Sequence, residues 1–416
     1  MHSVVVGGGP AGIYSALVLS RTSKVSLIEM EERLGGTCVL YGCIPTKSML
    51  NPLILSLKLY KDLGKKFEIS FDELREKSRK VIDRISKGIQ YVLEDNGVEI
   101  IRGKATIVEN GNAVNVGSQK IQADRIIIAT GTRREREEWL NYTEDLPNLS
   151  SNFERVVVLG GDVGGVEMAW LMKNLGKEVY LVEKQSSLLH YLDKDLRDAV
   201  TNYFRKIGIK LFLNTEISKI SRNSVITRTG EIISGDMVFL TYGRKTNIEG
   251  FEKLSKDGKY VSVNEYLQTS IKNVYAAGDI IGTHTAHEAI YAGVIAGINA
   301  SGGDEKFNRE NIPKVIYTHP QIAYVGRPEG KCVKIQTISL TRSNIDRETE
   351  GFFKLCVDGE KISGAFAFMP DAEEPVTIAS LLMRAGINVR QALHMIVPHP
   401  SYMEALYEAL LKLIKE

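Results

Sequence analysis

Two stretches of this chain share one pattern, and that pattern constrains the fold more than anything else in it. Val4-Val5-Val6 runs directly into Gly7-Gly8-Gly9-Pro10-Ala11-Gly12 and then into an apolar helical pattern through Ile13, Ala16 and Leu17. Val156 to Leu159 runs likewise into Gly160-Gly161-Asp162-Val163-Gly164-Gly165. A β-branched run, a glycine cluster and a helix open a βαβ unit in which backbone N–H groups at a helix N-terminus face an anion. In the first unit Gly7 makes the tight turn, Gly9 lets the backbone approach a pyrophosphate and Gly12 permits close helix packing; Gly160 and Gly165 hold the corresponding places in the second. Each unit closes on a strand that ends in an acid, Val25 to Ile28 before Glu29 and Val179 to Val182 before Glu183, and an acid there is placed for ribose hydroxyls. The expectation is an α/β protein with two Rossmann-like dinucleotide-binding domains.

Six residues after Glu29 begins GGTCVLYGCIPTK, residues 35 to 47, with four residues between Cys38 and Cys43. A regular helix rises ~7.5 Å over five residues, beyond the ~6.8 Å limit for Cα atoms joined by a disulfide, so the segment must bend if the two pair. Gly42 allows the bend. Pro45 suits the first turn of a helix that Lys47 and the apolar run from Met49 to Leu59 continue, which places Cys43 at a helix N-terminus where thiolate is favoured over thiol. A metal half-site is the weaker reading, because only Cys332 and Cys356 remain to complete it. A dithiol this close to the first nucleotide unit argues for FAD there, since a flavin exchanges electrons with dithiols.

Composition narrows the partners. With 416 residues, net charge +2 and 25% charged residues, the chain has room for several cores and no footprint for nucleic acid or an anionic membrane. No apolar run reaches the ~18 residues that span a bilayer. The first strand starts at Ser3 or Val4, leaving no room for a signal peptide, so the expected compartment is the cytoplasm, where a cysteine pair is more often catalytic than structural.

Residues 1 to 50 resemble the flavoprotein disulfide reductases, the family of dihydrolipoamide dehydrogenase, glutathione reductase and mercuric reductase. The resemblance implies that Cys38 exchanges with substrate, that Cys43 lies against the flavin with Gly36 and Thr37 beside it, and that Lys47 approaches the flavin and pairs with Glu167 of the second unit. It continues through Ala129-Thr130-Gly131, through Gly243 and Arg244 in a Gly-Arg-x-x-Asn turn, and through Gly278 and Asp279, whose carboxylate the family brings to the ribityl chain. His287 and Glu288 open a helix whose N–H groups could meet the flavin. Near the end, His399-Pro400-Ser401-Tyr402-Met403-Glu404 is similar to the family's acid–base histidine and the glutamate that holds its ring, and imidazole suits a reaction in which one sulfur attacks as thiolate while another leaves with a proton. A capping box between Ser401 and Glu404 is the structural alternative. His284 with His287 makes a poor metal site without acidic or cysteine partners, and His394 reads as surface or packing.

The resemblance spans nearly the whole chain and divides it into an FAD-binding domain (1–133 and 256–303), an NAD(P)-binding domain (134–255) and a C-terminal α+β interface and dimerisation domain (304–416). Residues 51 to 97 read as helical scaffold. Cys332 and Cys356 fall in strand-like stretches and read as small apolar fillers. A homodimer follows, because in the family the histidine enters the partner subunit's site. Glu183 favours NAD, while the adjacent Lys184 leaves NADP open. One residue departs from the family: Asp162 stands where a glycine should admit the pyrophosphate, which expects impaired nicotinamide binding unless the helix N-terminus simply accommodates the acid. The expected substrate is a small or protein-bound dithiol or disulfide of the lipoamide type, since the chain has neither a terminal cysteine pair for Hg(II) nor a basic cluster for glutathione. Another disulfide, Hg(II) or a quinone is the alternative acceptor.

Overall fold

The computed structural model describes residues 1–65, 67–108 and 110–415. Its first sheet is parallel, in the order 274–276, 125–128, 2–6, 24–29, 98–102. The strands are covered on both faces, which is why they read as unbroken β-branched runs: Val4, Val5, Val25, Ile126 and Ile127 have no exposed surface. The helices Pro10–Leu19 and Ala286–Ala300 cross on one face of this sheet at a contact only small residues permit. A Cβ added to Gly293 would lie 2.3 Å from the Ala11 carbonyl oxygen, and the Ser15 hydroxyl bridges the Ala11 and Gly293 carbonyls. That crossing carries residues near 279 back to the first glycine turn.

The second sheet repeats the first, in the order 210–212, 178–182, 155–159, 237–240, 141–142. Both βαβ units therefore form as the tandem pattern expects. A two-stranded ribbon, 132–134 with 244–246, ties the two bodies together. Between the first unit and its third strand stand the helices Cys43–Leu63 and Phe71–Asp95. Gly64, in the left-handed region at φ 66°, ends the first of these, and a reciprocal Ser70–Glu73 capping box starts the second.

The C-terminal sheet is antiparallel, in the order 314–316, 321–326, 361–369, 352–358, 331–336. Alternation along 352–358 divides its faces: Phe353, Leu355 and Val357 join the core beneath the helices Glu373–Arg384 and Glu404–Lys415, while Phe352 and Cys356 face the core shared with the second sheet's helices. Lys354 on that second face donates to Asp193 and Asp195 at 2.9 Å each, at the start of the helix Lys194–Lys206. Here one expectation fails. Cys332 and Cys356 are not separate apolar fillers; they sit opposite each other in register and are joined as a disulfide. Alternation within each strand leaves open which strand lies beside which, so the juxtaposition could not be read from the sequence. No helix among the described residues is long and apolar enough to cross a membrane.

Candidate active site

The redox stretch is built onto the first glycine turn. Gly35 donates its N–H to the Gly8 carbonyl at 2.8 Å, and Gly36, at φ 57°, faces Gly9 so closely that a Cβ would lie 2.7 Å from the Gly9 Cα. The chain then makes the short helix Gly36–Leu40, turns at Gly42 and starts the long helix at Cys43. A Cβ at Gly42 would lie 2.9 Å from the Thr37 carbonyl oxygen, so the bend that brings Cys38 back over Cys43 needs glycine. Both cysteines are half-buried thiols that share a hydrogen bond.

That hydrogen bond divides their chemistry. It is the largest influence holding the Cys43 pKa down to about 7, against burial and with help from the Lys47 ammonium. The same bond, with burial, drives the Cys38 thiol upward, so the pair shares one proton and keeps it on Cys38. Lys47 donates to Glu167 Oε2 at 2.7 Å. Burial works against its charge, yet Glu167 and Cys43 outweigh burial and hold its pKa above the usual value. The other Glu167 oxygen accepts the Tyr317 N–H at 2.9 Å, and the Tyr317 ring lies under the ammonium, 4.7 Å from centroid to Nζ. Tyr317 was not singled out in the sequence; its strand-like surroundings gave no hint that the C-terminal sheet reaches Lys47.

The glycine turn fits a dinucleotide. The first-unit helix is capped by Gly9, with no side chain in the way, and a Cβ there would find nothing nearer than the Gly36 Cα at 3.8 Å, which leaves room for a pyrophosphate. Gly12 is held under the turn, its Cβ position 1.8 Å from the Gly7 carbonyl oxygen. Glu29 accepts the Gly8 N–H at 2.6 Å and the Glu31 N–H at 2.9 Å. Ala129 follows the neighbouring strand and donates its N–H to the Val6 carbonyl, Thr130 donates to the Asn247 carbonyl, and Gly131 lies open at φ 67°. Asp279 follows Gly278, half-buried, accepting from Thr283 at 3.1 Å and Thr132 at 3.4 Å and close enough to Cys38 to raise its pKa. An open glycine turn, an acid at the end of the second strand and Asp279 near Cys38 suit FAD.

Other expected residues are placed differently. The Arg244 guanidinium binds Thr132, Glu144 and Thr37, so it braces the redox stretch against the ribbon between the two bodies. Gly243 is beside it at φ 94°. His287 donates to the Pro313 carbonyl at 2.7 Å, with burial lowering its pKa, and His284 meets the Tyr260 hydroxyl at 3.3 Å. His394 is exposed just past the short helix Val389–Ala392. In the second unit Glu183 accepts the Gly161 N–H at 2.5 Å and the Gln185 N–H at 2.7 Å, repeating the bonds that Glu29 makes in the first. The turn itself differs, because the N-cap is Asp162 and its carboxylate accepts the Val163 N–H at 2.8 Å.

His399 and Glu404 form a separate cluster on the C-terminal domain. His399 Nδ1 and Glu404 Oε1 lie 2.7 Å apart, and Glu404 Oε2 accepts the Ser401 N–H at 2.9 Å. Burial would raise the Glu404 pKa, but the bonds from His399 and Ser401 prevail and lower it. The carboxylate thus caps the turn and fixes the ring together. The imidazole itself is exposed, and within one chain its partner is Glu404 rather than Cys38.

Comparison with known proteins matches this geometry. Residues 1–293 fit the pyridine nucleotide-disulphide oxidoreductase family and residues 312–410 its dimerisation domain. The chain is 28% identical to dihydrolipoyl dehydrogenase of Bacillus subtilis, over 100% of this chain and 99% of that protein. It is 29% identical to mercuric reductase of Bacillus cereus, over 99% of this chain and 71% of that protein. In fold it is similar to LpdA from Mycobacterium tuberculosis (TM-score 0.93, 23% identity, 99% of both chains) and to the HOCl-induced flavoprotein disulfide reductase RclA from Escherichia coli (TM-score 0.88, 23% identity, 99% of both chains). The family implies FAD and a pyridine nucleotide, and with its two nucleotide folds, its dimerisation domain and its paired cysteines the chain belongs to the pyridine nucleotide-disulphide oxidoreductases, as a flavoprotein disulfide oxidoreductase.

Proposed function

We propose that the chain is a dihydrolipoyl dehydrogenase, a cytoplasmic homodimer that oxidises a lipoamide-type dithiol at Cys38–Cys43. The observation that carries this reading is the asymmetry of the pair: Cys43 is held near pKa 7 by Cys38 and Lys47 while Cys38 keeps the proton. Such a pair has one sulfur that leaves readily as thiolate and one that exchanges. FAD, bound along Gly7–Gly12, Glu29, Thr37 and Asp279, would supply the two-electron relay between the dithiol and a nicotinamide.

The chain's own residues account for the thiol steps. With the pair oxidised, a substrate thiol loses its proton to His399 Nε2 of the partner subunit, and the thiolate attacks the Cys38 sulfur. A substrate–Cys38 disulfide forms, the Cys38–Cys43 bond breaks, and Cys43 departs as a thiolate beside the Lys47 ammonium. The second substrate thiol then gives its proton to the departing Cys38 sulfur and attacks the substrate sulfur of the mixed disulfide, closing the substrate's disulfide and releasing Cys38 as a thiol, while the first proton leaves His399 for solvent. Glu404 holds the imidazole ring with Nδ1 occupied, leaving Nε2 for the proton.

Turnover with dihydrolipoamide, glutathione disulfide, coenzyme A disulfide, Hg(II) and a quinone, against both nicotinamides, tests the reading. The expected result is a kcat/KM for dihydrolipoamide at least tenfold above every other substrate, with NAD preferred because Glu183 occupies the ribose end. A preference for Hg(II) or a quinone overturns it.

A further inference from the structure

We propose that Asp162 is a built-in competitor for the pyrophosphate of the nicotinamide dinucleotide, held at the start of the second-unit helix by the Val163 N–H, so that this turn contributes little affinity until the carboxylate is displaced. The inference deepens the reading above, on which its choice of ligand rests.

The two βαβ units serve as internal comparison. Gly9 caps the first helix with no side-chain hydrogen bond and open space at its Cβ. Asp162 caps the second, and its Oδ1 accepts the N–H of Val163, the first donor of the helix Val163–Asn174. A helix N-terminus offers its anion a small set of free N–H groups, and here a covalently attached anion has taken one. The turn that carries this carboxylate is itself fixed. Leu189, buried at φ 48°, donates its N–H to the Gly161 carbonyl at 2.9 Å, and the Leu188 side chain lies 2.9 Å from where a Gly161 Cβ would stand, so the loop after the second strand is pinned to the glycine turn. Two residues further on, the Tyr191 ring reaches the C-terminal sheet, its centroid 6.5 Å from that of Tyr324, and its phenol is close enough to Asp162 to feel the carboxylate's charge. Burial and these neighbours push the Tyr191 pKa up, so the phenol remains a donor throughout the working pH range. The carboxylate is therefore held by its own helix, beside a loop that is pinned to the same turn. At ~4–6 Å and an effective dielectric near 20, such a charge facing one phosphate weakens binding on the order of a hundredfold, more at low ionic strength.

Calorimetry on the FAD-loaded protein with ADP-ribose, which carries the adenosine and pyrophosphate but no redox ring, tests this without turnover. Asp162→Gly is expected to tighten ADP-ribose on the order of 10²-fold at low salt, with a smaller ratio at high salt. Asp162→Asn, which keeps a cap and removes the charge, should recover part of that gain. Micromolar ADP-ribose binding by wild type with less than a threefold gain in Asp162→Gly overturns the inference, as does failure of the glycine variant to bind. If ADP-ribose tightens as stated while neither protein reacts with NADH or NADPH, the inference stands and the nicotinamide-linked function falls.

Discussion

Lys47 and Glu167 join the redox helix to the second nucleotide unit through a 2.7 Å contact whose side chains are 27% and 10% exposed. Both act on Cys43 in opposite directions, the ammonium lowering its pKa and the carboxylate raising it. Lys47→Met should therefore move the pH midpoint of Cys43 alkylation above 7, and Glu167→Gln should move it below. Removing one member of a buried pair costs ~3–5 kcal/mol, and the partial exposure of Lys47 puts both variants at the lower end in chemical denaturation. Midpoints that shift in the same direction would refute the arrangement.

Cys38 acts on Cys43 mainly as a hydrogen-bond donor, which separates two substitutions at one position. Cys38→Ser keeps a donor and should leave the Cys43 midpoint near 7, whereas Cys38→Ala should carry it toward the ordinary 9.0. Both should abolish dithiol turnover while leaving FAD content unchanged. Because the folded Cys43 pKa is depressed, the reduced protein gains stability that grows between pH 7 and 9 and is lost as pH falls through 7, while the raised Cys38 pKa makes stability fall again above pH 9. Urea midpoints of reduced wild type should rise between pH 6 and 8.5, and Cys38→Ala should flatten that slope.

His399 and Glu404 invite a graded pair. His399→Gln should lower turnover by roughly 10² to 10⁴, the range of general acid–base catalysis, with dimer mass and FAD content normal. Glu404→Gln retains the cap on the turn less firmly and loses the charge beside the ring, so its loss should be smaller and its acidic pH limb shifted. A His399→Gln variant within twofold of wild type would remove the histidine from the mechanism.

The disulfide between Cys332 and Cys356 closes a loop across a sequence separation of 24 residues. Constraining a loop of that size is worth roughly 3 kcal/mol in the chain-entropy account. The double variant Cys332→Ser/Cys356→Ser should lose about that much stability, with kcat unaltered, since neither sulfur adjoins Cys38. Peptide mapping of protein purified without reductant should find 332 and 356 linked, and free thiols at both positions would refute the pairing.

Sequence and structure diverge where side chains from distant segments meet. The glycine turns, Glu29, Glu183 and the cysteine stretch announce themselves because their partners are local: strand, turn and helix follow one another within a single unit. Tyr317, Tyr191 and Tyr324 do not, because each matters only once the C-terminal sheet is docked on the second nucleotide unit. Arg244 shows the converse. Its Gly-Arg turn is visible in the sequence, but its bonds to Thr37 and Glu144 depend on how the two-stranded ribbon folds back. Asp162 was visible as an intruder in a glycine motif; whether its carboxylate pointed toward the helix or away could be decided only by the Val163 contact.

The face-to-face approach of Gly36 and Gly9 links the fates of two loops. A single methyl at Gly36 would need the backbone of the nucleotide turn to retreat, since the position it would occupy is 2.7 Å from the Gly9 Cα, and the displaced turn would carry Cys38 with it. Nucleotide binding and thiol chemistry thus cannot be tuned separately at this point of contact. In a saturation library of both positions, survivors should be glycine at both, and no second substitution within either loop should rescue a side chain at the other: the chain inherits its electron carrier's cradle and its redox pair as one piece.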